Sequence, residues 1–373
     1  MPLAFTPKDW ESRAKEMGLP AFRGRQIFDA IHRRGVTSFE AMTELSRADR
    51  RRFQDLFPMA LPEVVRREAS ADGSVKYALR LSDDALIEAV FMPRGEALAS
   101  AESEFADARA EGPGGRSAAI RPPRTPPGER ATLCLSSQTG CAVDCRFCVT
   151  GRLGAGRNLS GGEIVGQYLA VRREHPDTSL SLVFMGMGEP MLNFENVAQA
   201  LKVFTKTISP RRITVSTAGF PDGIRRLGEL EKVPNLAVSI NAADERTREE
   251  IMPVTRAHPL AEVLAAMKAF PLPPRRRITA EYVLIDGVND SVEDAKKLGR
   301  LLRGLPVKIN VIPLNPDPRY LPEFQPPSET AIDAFVEELA RQKYTVTVRR
   351  SRGPDSYAGC GQLKGRAADS RRR

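Results

Sequence analysis

A chain of 373 residues with 41% hydrophobic and 6% aromatic content carries enough apolar material for a large core, which excludes global disorder. Its formal charge of +9 favours a polyanionic partner such as RNA or DNA, although solvated arginines alone would give the same balance. No apolar run reaches the roughly 18–20 residues of a bilayer span, the start Met1-Pro-Leu-Ala-Phe-Thr-Pro-Lys-Asp-Trp10 lacks the features of a signal peptide, and five cysteines do not suit a secreted disulfide framework, so a cytoplasmic protein with no membrane contact is expected.

Residues 1–60 read as a helical module, with helices expected over 8–17, 24–34, 38–45 and 46–56. Ile27, Ala30 and Ile31 share one face of the second, and Ser46 is placed to cap the last. Arg47, Arg50, Arg51 and Arg52 either touch phosphates or sit in solvent. Residues 61–93 form a linker with alternating strands over 75–81 and 86–92, joined by a turn at Asp83-Asp84, which predicts a β-hairpin. Glu88 is a carboxylate inside the apolar second strand, and either faces solvent or lines a pocket as an acid–base group. Residues 94–129 have no periodicity and many Ala, Gly, Ser and Pro, which predicts a flexible insertion.

From 130 to 365 strands and helices alternate. Strands are expected over 131–136, 180–185, 212–216, 236–240, 278–284, 307–312 and 344–348. Helices are expected over 160–174, 196–205, 222–231, 246–251, 260–270, 292–302 and 329–342, the first with a Ser160/Glu163 capping box and the sixth capped by Ser291. This is an α/β pattern with a parallel sheet, in number closer to an open or partial barrel than a complete one. Ligands of such folds gather at the C-terminal ends of strands. Gly186-Met-Gly188-Glu189-Pro190, Ser216, Ser239-Ile240-Asn241 and Asn315 all fall there. A basic tail closes the chain at 366–373.

Cys141-Ala-Val-Asp-Cys145-Arg-Phe-Cys148 follows the first of these strands and leads into Gly151, Gly154 and Gly156. Three thiolates this close can hold three corners of a cubane iron–sulfur cluster, leaving one iron open to a small ligand. Zinc is the alternative, but a structural zinc site wants four protein ligands, and the nearest histidine is His175. An open iron can bind the amino and carboxylate groups of S-adenosylmethionine (SAM), and an electron from the cluster can then break the sulfonium C–S bond. Gly186 to Pro190 suits a methionine-binding edge: glycines allow close backbone approach, and Glu189 can accept from an ammonium group. On their own, Cys134 and Cys360 read as small buried hydrophobes.

The triplet resembles the radical SAM signature, and Gly186 to Pro190 resembles that superfamily's methionine-binding motif. Thr132-Leu-Cys134-Leu-Ser-Ser-Gln-Thr-Gly-Cys141, Val183 to Pro190, Ala358-Gly-Cys360-Gly-Gln-Leu363 and Gly18 to Gln26 are similar to the RNA adenine-C2 methyltransferases, over nearly the whole chain except about residues 94–128. The resemblance implies a partial (β/α)6-type radical SAM barrel behind a helical RNA-binding module. It implies a [4Fe-4S] cluster on Cys141, Cys145 and Cys148, with SAM contacts from Gly188, Glu189, Ser216, Ser239, Ile240, Asn241 and Asn315. It further implies that Cys360 is the S-methylcysteine carrier, that Glu88 is the proton acceptor, and that Cys134 is the resolving thiol, forming a transient disulfide with Cys360. Two SAM molecules would be used, on an adenosine of 23S rRNA in the peptidyl-transferase region and on one beside the tRNA anticodon. An electron donor such as flavodoxin or ferredoxin and a monomeric state are implied as well. Asn241 departs from the family, which commonly has His there, and the insertion at 94–129 is a second departure. A related rRNA adenosine-C8 methyltransferase, a radical SAM activase or dehydrogenase, and a zinc-bound RNA-binding module are the competing readings.

Overall fold

The structure is a computed structural model that describes residues 1–93, 130–351 and 357–364. The insertion expected at 94–129 and the basic tail at 366–373 lie outside the described residues.

The N-terminal module is built on aromatic packing. Helix α1 (Pro7–Glu16) starts at a capping box in which Thr6 and Asp9 satisfy each other's backbone N–H groups. Helix α2 (Phe22–His32) lies against it so closely that a Cβ at Gly24 would run into the Trp10–Glu11 backbone. Helix α3 (Arg47–Leu56) is capped by Ser46, whose side chain accepts the Asp49 N–H. The helix expected over 38–45 is instead a single 3-10 turn, Phe39–Ala41. That turn drops Phe39 onto Trp10 and Phe53, with ring centroids 5.9 and 5.4 Å away. Met42 and Leu45, beyond the turn, are buried as well, so the segment packs without a full helix.

The linker holds three strands rather than a hairpin of two: β1 (Glu63–Ala69), β2 (Val75–Arg80) and β3 (Leu86–Pro93) form an antiparallel meander. Strand β1 was hidden because it is an edge strand with no fully buried position. Its charges pair instead with near neighbours, Glu68 with Arg66 and Lys76, and Glu63 with Arg80, which is how an exposed edge is kept from pairing with other chains.

Strand β3 pairs antiparallel with β4 (Arg130–Cys134), so the meander continues directly into the main sheet. From β4 onward every pairing is parallel: β5 (Ser179–Phe184), β6 (Ile213–Thr217), β7 (Asn235–Ser239), β8 (Ile278–Leu284), β9 (Val307–Pro313) and β10 (Val346–Val348). The ten strands lie side by side in sequence order. Between the parallel strands run α4 (Val149–Arg152), α5 (Gly161–Arg172), α6 (Phe194–Phe204), α7 (Pro221–Gly228), α8 (Glu245–Ile251), α9 (Leu260–Ala269), α10 (Val292–Leu301) and α11 (Glu329–Arg341). Expected bounds for the longer elements differ from these by a residue or a few; the short α4, just after the cysteine triplet, was not expected. Leu133, Leu182, Val215, Leu236, Ile278 and Ile309 are fully buried and form the body of the core. Among the described residues no helix is long and apolar enough to cross a membrane.

Candidate active site

The C-terminal ends of five successive parallel strands open onto one cavity. Phe184 and Met185 reach it from β5, Ser216 and Thr217 from β6, Ser239 from β7, Val283 from β8 and Ile312 from β9. Strands that share one cavity in this way must curve around it.

Cys141, Cys145 and Cys148 line this cavity together. Their loop is tied at both ends. The Cys141 N–H donates to the Gly154 carbonyl at 2.9 Å, and the Cys148 N–H donates to the Cys145 carbonyl at 3.0 Å. Asp144 takes a left-handed φ of 52° to make the turn. The Arg146 N–H donates to Ile251 O at 2.9 Å, joining the loop to α8. Burial pushes the Cys141 thiol up to about 12 and raises Cys145 and Cys148, and the neighbouring thiols add to the effect. Three thiols raised in this way can ionise together only with a cation among them, which is the chemistry of a metal-loaded site. Among the described residues no three His, Cys, Asp or Glu side chains converge as a single ion requires. Thiols spaced around a cavity suit a cluster, in which each binds its own iron.

Opposite the triplet, the glycine motif gives a backbone edge. A Cβ at Gly186 would lie 2.7 Å from the Leu135 carbonyl, and Gly188 has φ 95° with its Cβ position 2.5 Å from Gln138. Only glycine fits either place. Glu189 is buried, and its carboxylate accepts the N–H of Met191 at 3.0 Å and of Ala218 at 2.7 Å. Burial nevertheless prevails and raises its pKa to about 7. An ammonium group in the cavity would return it to the carboxylate form.

Ser216, Ser239, Asn241 and Asn315 all line the cavity. Asn241 sits at φ 57°, where Asn is better tolerated than most residues. Its side chain is already engaged: Oδ1 accepts the Val283 N–H at 2.9 Å, and Nδ2 donates to Met252 Sδ at 3.1 Å. Ile240 is not brought to the cavity. Its side chain is fully buried in the core, and its carbonyl accepts the N–H of Ala242 and the Nε–H of Arg248.

A smaller adjoining cavity joins the two remaining cysteines, 226 positions apart in the chain (360 minus 134), as both Cys134 and Cys360 line it. Cys360 also lines the large cavity, so it stands between the triplet and Cys134. Burial pushes the Cys134 thiol up to about 12. The segment carrying Cys360, residues 357–364, is docked by its backbone. Asn315 Nδ2 donates to Cys360 O at 2.9 Å, the Val149 N–H to Gly361 O at 2.7 Å, and the Thr150 hydroxyl to Leu363 O at 2.7 Å. Lys364 forms a buried ion pair with Asp317 at 2.6 Å, its ammonium 4.7 Å from the Tyr320 ring centroid and 5.1 Å from that of Tyr357.

Glu88 does not face solvent. It is fully buried, on the same strand face as Val90, which pairs with Cys134. Its Oε2 accepts the Lys364 N–H at 2.9 Å, while Oε1 has no partner. Burial raises its pKa. The carboxyl is thus held dry, with one oxygen uncommitted, directly beneath the Cys360 segment.

Arg349, just past β10, escaped the sequence reading. Its guanidinium is buried among Cys360, Glu281 and Cys134, which hold it firmly protonated, and it lines both cavities. A fixed cation there partly offsets the burial that raises the Cys134 thiol. The strand-end rule, applied to the last strand as to the others, points to it. Gln138, whose Oε1 accepts the Glu189 N–H at 2.8 Å, was missed because nothing in its local sequence marks it.

Comparison with known proteins agrees with this geometry. The family model described as the Radical SAM superfamily matches residues 135–299, and that described as the ribosomal RNA large subunit methyltransferase N-terminal domain matches residues 3–58. The chain is 41% identical over 366 residues to the dual-specificity RNA methyltransferase RlmN of Geotalea uraniireducens, covering 97% of this chain and 96% of that one. It is 42% identical over 372 residues to the protein of the same name from Sorangium cellulosum, covering 97% and 95%. The crystal structure of a radical SAM methyltransferase from Sphaerobacter thermophilus superposes with a TM-score of 0.83 at 36% identity, covering 97% of this chain and 98% of that one. The chain therefore belongs to the RlmN family of dual-specificity RNA methyltransferases, SAM-dependent enzymes of the radical SAM superfamily.

Proposed function

We propose that this methyltransferase places a methyl group on C2 of adenosine in 23S rRNA and in tRNA, using Cys360 as the methyl carrier. The observation that carries the proposal is the shared cavity of Cys134 and Cys360, opening beside the cysteine triplet. A methyltransferase that merely aligned SAM with a nucleophilic base would have no use for a second pair of thiols in the site.

Cys141, Cys145 and Cys148 are the residues that would hold a [4Fe-4S] cluster, and Gly188, Glu189, Ser216 and Ser239 line the space where SAM would sit. The cluster and SAM together supply an adenosyl radical, and a second SAM supplies the methyl group. Cys360, which lies beside the Arg349 guanidinium, first attacks the SAM methyl carbon, giving up its thiol proton and displacing S-adenosylhomocysteine. Loss of a hydrogen atom from the S-methyl group leaves a carbon radical on the Cys360 side chain, which adds to the electron-poor C2 of adenine. One electron of the adduct would pass to the oxidised cluster that Cys141, Cys145 and Cys148 would hold, and Glu88 takes the C2 proton through its free Oε1. Cys134 attacks the Cys360 sulfur; the S–C bond breaks with its electron pair going to the methylene carbon, which takes up a proton to become the methyl group. An external reductant reopens the disulfide, and a donor of the flavodoxin or ferredoxin type supplies the initiating electron. The helical module and its exposed Arg47 and Arg51 are where the RNA backbone would be met.

The test is anaerobic turnover with RNA followed by nucleoside mass spectrometry against C2 and C8 standards. Wild type is expected to give C2 product alone, and C8 product alone would overturn the assignment. Cys360→Ala should give no methylated adenosine, and turnover in that variant would remove the carrier. Cys134→Ala should accumulate a covalent RNA–protein adduct visible as a shifted band.

A further inference from the structure

Arg248 is a fully buried charge at this end of the molecule that the mechanism leaves unused. It lies in α8, with 0% exposure. Its guanidinium is engaged almost wholly by main-chain carbonyls. Nε donates to Ile240 O at 3.0 Å, Nη2 to Ala218 O at 2.7 Å and Ser239 O at 3.2 Å, and Nη1 to the Thr255 hydroxyl at 2.8 Å. Among the described residues it makes no ion pair. Glu245, the nearest acid on its own helix, has both carboxylate oxygens on the Leu260 N–H, at 3.0 and 3.1 Å, and acts on Arg248 only at longer range. Burial lowers the guanidinium to about 10, which leaves it charged at neutral pH.

A buried cation without a counter-ion is unfavourable, because carbonyl dipoles replace only part of the water it has lost. Such a charge persists where an anion arrives later or where the charge itself has a use. The nearest candidate anion is at the triplet. Cys145 stands in the field of Arg248, each acting on the other. The two are also joined through structure: Arg146 donates to Ile251 at the end of the same helix, and Cys145 packs with Ile251 and Met252 in one apolar cluster. On its other side, Arg248 binds the carbonyl of Ala218, whose N–H is the 2.7 Å donor to Glu189. The carbonyls of Ser239 and Ala218 come from residues that line the cavity. One guanidinium therefore ties together the ends of β6 and β7, the Glu189 carboxylate and the cluster loop.

We propose that Arg248 is a positioning residue that fixes the reduction potential of the cluster. This rests on the reading of Cys141, Cys145 and Cys148 as cluster ligands. Its permanent positive charge behind Cys145 favours the reduced, more negative form of the cluster and so makes the first electron easier to accept. Its carbonyl bonds hold the strand ends that form the SAM edge.

The test is a potentiometric titration of the reconstituted protein, followed by visible absorbance and by the EPR signal of the reduced cluster, on wild type, Arg248→Lys, Arg248→Gln and Arg248→Met. The neutral variants are expected to titrate at more negative potential, with at least a tenfold lower reduced-to-oxidised ratio at fixed potential, about 59 mV for a one-electron couple. Arg248→Lys, which keeps the charge, should stay within about threefold of wild type in that ratio while binding SAM about tenfold more weakly, since an ammonium cannot span the same carbonyls. A folded Gln or Met variant that titrates with wild type would overturn the proposal, as would a Lys variant displaced as far as the neutral ones. Should neither neutral variant fold with a cluster, Arg248→Lys decides: unchanged potential with weakened SAM binding supports the proposal, and a wild-type affinity or a displaced potential overturns it. Wild type that reconstitutes with no iron–sulfur chromophore would instead sink the cluster reading itself.

Discussion

The Trp10 cluster and the cavity end of the sheet both bury large side chains, but of different kinds. In the helical module, Trp10, Phe39, Phe53 and Phe57 meet with ring centroids 5.4 to 6.2 Å apart, and the polar exceptions are few: Trp10 Nε1 and His32 Nε2 are buried without a partner. Around the cavity, Glu88, Glu189, Glu281 and Arg248 are all almost fully buried, beside five cysteines. Packing stabilises the first region. The second carries desolvated charge that packing elsewhere must offset, which is what a site that tunes ionisation and redox chemistry requires. Changes in the two regions should therefore fail in different ways.

The largest stability effect should come from Trp10→Ala. Emptying the centre of the aromatic cluster should cost about 3–5 kcal/mol, read as a lower urea midpoint, with SAM binding to the folded fraction unaltered. Lost SAM binding in that folded fraction would mean that the two regions are not separable. Gly188→Ala should do the reverse. The left-handed backbone alone costs about 1–2 kcal/mol, the Gln138 contact adds to it, and SAM binding should drop below detection in calorimetry while the fold survives. An alanine variant that binds SAM normally would remove the backbone edge from the site.

The pH dependence separates the regions by sign. His32 is held neutral down to about 3 by burial, against an ordinary value of 6.5. The unfolded chain binds the extra proton across that window, so His32 makes the protein less stable as pH falls from 6.5 towards 3. Glu189 keeps its proton up to about 7, against an ordinary 4.5, so there the native state holds the extra proton and stability falls as pH rises from 4.5 to 7. Each slope approaches about 1.4 kcal/mol per pH unit. In cluster-free protein, Glu189→Gln should flatten the upper slope and His32→Gln the lower one, as followed by urea unfolding at several pH values. The reverse assignment would exchange the two environments. The smallest effect belongs to Glu250→Ala on the outer face of α8: its exposed pair with Arg246 should be worth no more than about 0.5 kcal/mol in the same unfolding measurement.

The alternation of strands and helices after residue 130 was legible because the buried parallel strands are rich in apolar residues and Ser160 and Ser291 announce the helices that follow them. The cysteine triplet and the glycine edge were legible because their chemistry is local. Strand β1 was not, since its half-buried face carries Val64, Arg66 and Glu68, so its exposure alternates where its hydrophobicity does not. Arg248 and Arg349 were not either, because a buried arginine looks like a surface arginine until the carbonyls and thiols around it are placed. Ile240 differs from its neighbours: Ser239 and Asn241 line the cavity, while the Ile240 side chain turns into the core.

The sheet's strand order has a consequence for how the chain becomes active. Each strand pairs with its neighbour in sequence, so the sheet can grow from the N-terminus as synthesis proceeds, with every new strand finding its partner already in place. The Lys364 to Glu88 hydrogen bond spans 276 residues and joins nearly the last described position to the third strand formed. A nascent chain can hold the triplet, the glycine edge and Glu88 well before Cys360 emerges. Of these groups the Cys360 thiol, the proposed methyl carrier, is delivered last, and it docks onto a framework that is already in place.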